Sequence, residues 1–135
     1  MSKIDNSILD VITSMKTATH VDVSFGDRDL KASRRPVIEL VPDEDATITT
    51  NNTTGNTLEL PLTVNIVVDR EDELRAYEIL EQSLKTLNSI NPSAGFKVGE
   101  KIGPDVNQAV MTQTYDVSTF TLAFPYNLNF LLIGE

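Results

Sequence analysis

The sequence has no cysteine, no tryptophan, a single histidine (His20), and only 11 Lys and Arg against 20 Asp and Glu. Without cysteine there can be no disulfide, thiolate zinc site, iron–sulfur cluster or thiol nucleophile, and a reducing compartment suits the chain as well as any other. The shortage of cations leaves a net charge of −9. That balance argues against general nucleic-acid binding, because neutralising phosphates takes a clustered excess of Lys and Arg. Long apolar runs are missing as well: no stretch approaches the ~20 residues of a membrane span. The start, Met1-Ser2-Lys3-Ile4-Asp5, leads into no apolar segment of a secretory signal. A soluble, unprocessed protein is expected, and 135 residues fit one domain over 1–135 that can support its own core.

The groups with which enzymes work are equally scarce. Acid–base and nucleophilic catalysis need a titratable group held near a second one. His20 stands alone between Thr19 and Val21, where an exposed or capping loop residue is the plainer reading, and no G-x-S-x-G elbow accompanies it. Gly95, Gly99 and Gly103 are spaced by four beside Pro92 and Pro104, which matches neither a dinucleotide fingerprint nor a P-loop, so they read as turns. Asp27-x-Asp29 and Asp43-Glu44-Asp45 lack the alternating ligands and closing Glu of a calcium loop and read as solvated acidic segments. The sequons at Asn51 and Asn52 have no meaning without a secretory route. No enzyme activity, catalytic residue, cofactor or metal is therefore expected.

What the chain does have is clear periodicity. Ile4, Ile8, Val11, Ile12 and Met15 recur at helical steps and predict an amphipathic helix over Ile4–Thr17, with Ser2 as N-cap. Val21, Val23 and Phe25 alternate with polar residues as a short strand does. Val37–Val41, bracketed by Pro36 and Pro42, predicts a strand near a sheet edge or with free ends. The Thr- and Asn-rich stretch Ala46–Thr57 reads as a projecting β-hairpin or ordered loop. Leu60, Leu62, Val64, Ile66 and Val68 alternate through the clearest strand.

Asp69, with Asp72 three residues on, resembles a capping box, and Leu74, Tyr77, Leu80, Leu84 and Leu87 form the apolar stripe of a second helix that stops by Asn88. Residues 89–108 form a long connection with one short strand at Phe96–Val98, and sheet resumes at Ala109–Met111. Between Thr114 and Phe124 the alternation changes phase near Ser118–Thr119, which predicts a bulge or a change of neighbours. The tail, 127–133, is too apolar to float free and is expected to dock. Two helices on one face of a mostly antiparallel or mixed sheet make a two-layer α+β domain, with the hairpin projecting from it.

Charge is unevenly spread. Arg28, Lys31, Arg34 and Arg35 gather in one aperiodic segment, whereas Asp43-Glu44-Asp45 and Glu71-Asp72-Glu73 are acidic. Opposite patches on one subunit suit head-to-tail contacts between copies, which close into rings.

With that helix, Arg35-Pro36-Val37-Ile38-Glu39-Leu40, the Thr/Asn hairpin, Leu60–Val68 running into Asp69–Leu80, and Tyr115–Leu122, the chain resembles the tail terminator (tail completion) proteins of tailed bacteriophages. The resemblance spans nearly the whole chain and rests on element order, length and character. It implies a non-enzymatic structural virion protein, a ring of usually six subunits that caps the tail tube, ends its growth and receives the head connector. The tube protein, the connector or neck proteins and further copies would be its partners. DNA would pass through the lumen without specific binding, no membrane would be involved, and the protein would reside at the head-proximal end of the tail after assembly in the host cytoplasm. Carried over by position, Ala46–Thr57, with Asn51, Asn52 and Thr53 at its tip, would be the projecting hairpin. Arg28, Lys31, Arg34 and Arg35 would lie in a subunit- or partner-contacting loop, and by charge alone that loop could dock on Asp43, Glu44 and Asp45, or on Glu71–Glu73, of another copy. The alternatives are another head–tail joining, tube or baseplate component, or a monomeric peptide- or partner-binding domain.

Overall fold

The computed structural model describes residues 3–26, 35–43, 47–51, 55–89, 96–99 and 111–132. In order they form α1 (Lys3–Thr19), β1 (Asp22–Phe25), β2 (Val37–Pro42), β3 (Thr47–Asn51), β4 (Gly55–Asp69), a 3-10 turn (Arg70–Asp72), α2 (Glu73–Ser89), β5 (Phe96–Gly99), β6 (Thr112–Tyr115) and β7 (Thr119–Leu132). The seven strands make one mixed sheet, and both helices pack on one of its faces, giving the two-layer α+β domain that the periodicities predict.

The long strands β4 and β7 run antiparallel from Thr57 opposite Leu131 to Asp69 opposite Thr119 and form the spine of the sheet. Each outer edge of this spine carries two short strands in succession. On β4, β2 pairs with Leu62–Val67 and β3 with Gly55–Glu59; on β7, β6 pairs with Phe120–Ala123 and β5 with Asn129–Leu132. Outside β2 lies β1, in parallel. One half of the sheet therefore reads β1-β2-β4-β7-β6 and the other β3-β4-β7-β5.

Pro61 and Pro125 occupy the seam between these halves, where the ladders of the flanking strands have ended. The Asp43 N–H donates to the Pro61 carbonyl at 2.9 Å. A residue's N and C=O point to the same side of its strand, so the Pro61 nitrogen faces outward. Pro125 lies opposite Thr63, two positions along the ladder from Pro61 opposite Asn127, and alternation turns its nitrogen away from β4 in the same way. The spine thus loses no hydrogen bond to either proline.

The register sets the core. Ile38 and Leu40 of β2, Leu62, Val64, Ile66 and Val68 of β4, and Phe120, Leu122, Phe124 and Leu128 of β7 share one face and are buried beneath Val11 and Met15 of α1 and Ala76, Ile79 and Leu87 of α2. Fully burying one such side chain contributes about 1.5–3 kcal/mol. The other face is not bare: Val37, Val41, Val67 and the carboxylate-bearing Glu39 are all buried there.

Several local expectations are corrected. The first helix runs on through Thr19, whose Oγ1 donates to the Met15 carbonyl at 2.6 Å and accepts from the Val21 N–H at 3.2 Å. The expectation for β2 holds, by contrast: it lies next to the edge strand β1, and its proline-bearing ends are free of that strand. The capping box is not made: Asp69 caps no backbone N–H, a 3-10 turn intervenes, and its carboxylate is drawn to Arg35 instead. Leu74 is 81% exposed, and the buried line of α2 runs through Ala76, Ile79, Ser83 and Leu87. The phase change near Ser118 is a turn between two strands, closed by Asp116 N–H to the Thr119 carbonyl at 2.9 Å, so Thr114–Phe124 is not one strand.

Of Ala109–Met111, where sheet is expected to resume, residues 109 and 110 lie outside the described residues, as does Ser2, and Met111 directly precedes β6. Thr47–Asn51 and Gly55–Glu59 form an antiparallel ladder ending at Asn51 opposite Gly55. The tail is not an appendage: through Leu132 it continues β7, paired to β4 and β5.

Candidate interaction surfaces

The charged segments singled out from the sequence meet the fold at the two ends of β2. Arg35 lies two residues before its first residue and Asp43 follows its last, a separation of roughly 25 Å at about 3.3 Å per residue. Arg35 lies across from Asp69 where the β2–β4 ladder would continue, and its Nε donates to Asp69 Oδ1 at 2.6 Å. With the side chains 27% and 41% exposed, such a pair stabilises by about 0.2–1 kcal/mol. Asp43 is exposed at the seam, held by its N–H to Pro61 and by Thr63 Oγ1 donating to its carboxylate at 3.3 Å. Asn51 ends the β3–β4 ladder. Arg28, Lys31, Arg34, Glu44, Asp45, Asn52 and Thr53 lie outside the described residues.

This placement separates two pairings that the sequence leaves equivalent. The acidic start of α2 shares an end of the molecule with Arg35, which is already bonded to Asp69 within the same chain. Asp43 lies at the other end. Of the described acidic groups, Asp43 thus lies at the opposite end of β2 from Arg35, and the start of α2 at the same end.

At the Arg35 end a second cluster emerges that the sequence reading missed. The turn from β6 to β7 folds against the start of α2: the Arg70 N–H donates to the Ser118 carbonyl at 3.0 Å, its Nη1 donates to the Asp116 carbonyl at 2.7 Å, and its guanidinium lies 4.9 Å above the Tyr115 ring. Tyr115 rests on Phe120 with ring centroids 4.8 Å apart, and its hydroxyl donates to Glu73 Oε2 at 2.9 Å. That bond, then desolvation and the Glu73 charge, raise the phenol above its ordinary value of 10.0, while Arg70 acts the other way. Beside it, Gln113 Nε2 donates to the Tyr77 hydroxyl. Leu74, which follows Glu73, and Val117, between Asp116 and Ser118, are exposed, Val117 almost entirely.

His20 takes the plainer of its two readings. It is exposed and left-handed, with φ of 58°, and its N–H donates to the Lys16 carbonyl at 2.8 Å, so it closes α1. Glu39 is the other residue the sequence reading passed over. It is buried in β2 opposite Asn65, whose Nδ2 donates to Glu39 Oε1 at 3.5 Å. Among the described residues no group of three or more His, Asp and Glu side chains converges as a metal site would require, and no helix is long and apolar enough to cross a membrane. No protein-family model matches the sequence, and no curated protein is significantly similar to it.

Proposed function

We propose that this chain is a structural, ring-forming subunit of the tail-terminator kind, which caps the end of a phage tail tube, stops its growth and offers the surface on which the head connector docks. The observation that carries this reading is the polarity of β2, with the basic segment entering at Arg35 and the acidic segment leaving at Asp43. Copies meeting end to end through these segments attract at every contact, and a closed ring leaves none unpaired. The ring would be usually six subunits, its lumen would pass DNA without specific binding, and the β3–β4 ladder would extend toward the tube.

Size-exclusion chromatography with light scattering tests the reading. The wild-type protein, alone or on purified tail tubes, is expected to form a ring that weakens as salt rises past about 0.15 M, where the screening length falls to about 8 Å. Arg34→Glu is the better probe than Arg35→Glu, because Arg35 also holds Asp69 within the chain. Arg34→Glu and Asp43→Lys should each impair assembly while leaving the melting temperature nearly unchanged, and the two together should restore part of it. A wild-type chain that stays monomeric and does not bind tail tubes overturns the proposal.

A further inference from the structure

The cluster at the start of α2 has the character of a protein-docking face. Leu74 is 81% exposed, Val117 98% and Tyr115 50%. The segments that carry them are tied together: Arg70 binds the carbonyls of Asp116 and Ser118, which flank Val117, and Tyr115 binds Glu73, the residue before Leu74. Tyrosine and arginine are the side chains enriched at the centre of interfaces. Here both are already ordered, Tyr115 by Glu73 and Phe120 and Arg70 by two carbonyls, so little side-chain freedom remains to be lost on binding. The rim is acidic: Glu71, Asp72 and Asp116 are exposed beside Glu73, against Arg70 and Arg75. A second copy is a poor match, since it carries −9 overall. Within the sheet β6, which carries Tyr115, lies three strand spacings, about 14 Å, from β2, while Arg70 follows Asp69, the partner of Arg35.

We infer that Leu74, Tyr115 and Val117 form the docking face for a protein of another kind, one that offers an apolar socket edged with lysine or arginine. The inference rests on the proposed function for its partner, the tail tube. The experiment compares the wild type with the double variant Leu74→Asp/Val117→Asp. Both positions are solvent-exposed, so the variant should fold with an unchanged melting temperature and the same mass by light scattering. Co-sedimentation with purified tail tubes should fall at least tenfold, and wild-type binding should weaken between about 50 and about 300 mM salt. A variant that binds tubes as the wild type does overturns the inference and leaves the capping role standing. Loss of self-assembly in the variant also overturns it, by making the face a contact between copies. A wild type that leaves tubes untouched removes the capping role and this face's assignment together.

Discussion

His20 is the one non-glycine residue with positive φ among those described. Its place at the end of α1 is one that glycine fills without the Cβ clash, which costs other residues about 1–2 kcal/mol. Glycine's greater freedom in the unfolded chain offsets part of that gain. His20→Gly is therefore expected to stabilise by about 0.5–1 kcal/mol, read as a raised denaturation midpoint with an unchanged slope. Tyr115 gives a prediction of pH dependence. A phenol whose folded pKa is raised holds its proton more firmly when folded, so its contribution is complete below pH 10.0 and is lost as pH rises through the folded value. Ultraviolet difference absorbance, comparing the wild type with Tyr115→Phe, should show this phenol ionising above 10.0, and Glu73→Ala should bring it back toward 10.0.

Among the elements, α2 shows where sequence periodicity succeeds and where it slips. The helix was legible from its leucines, yet its buried line is Ala76, Ile79, Ser83 and Leu87, with Tyr77, Leu80 and Leu84 half-buried on its flank. A stripe read from large apolar residues overlooks small ones, and small ones are what let a helix approach a sheet closely. Ser83 is fully buried, and its hydroxyl has no hydrogen-bond partner among the described residues. Ser83→Ala removes that desolvated group and improves helix propensity, so a gain of about 1 kcal/mol is expected, visible as a melting-temperature rise of a few degrees. The turn at Asp116–Ser118 escaped notice for a related reason. Asp116-Val117-Ser118-Thr119 carries no glycine or Asn-Gly signal, and Val117 continues the apolar alternation that the turn breaks.

At the scale of the molecule, the two-layer α+β class was legible because each element is amphipathic on its own. The mostly antiparallel or mixed character of the sheet was legible too, but not which pair is parallel, since nothing in the composition of residues 26–36 encodes the parallel pairing of β1 with β2. The candidate surfaces divide along the same line. Charge polarity is contiguous in sequence and could be read, whereas the Tyr115 cluster is assembled from residues 70–77 and 113–120 and exists only once β6 and β7 have met the start of α2. The prolines of the seam carry one more consequence. If β7 slipped by a single residue against β4, Phe120 and Leu122 would turn to the wrong face, and the Pro125 nitrogen would turn into the ladder where a donor is needed. The same slip made by β4 would turn Pro61 inward. The two residues least suited to a central strand thus key the longest pairing in the protein to a single alignment, each penalising the nearest misfold of the strand that bears it.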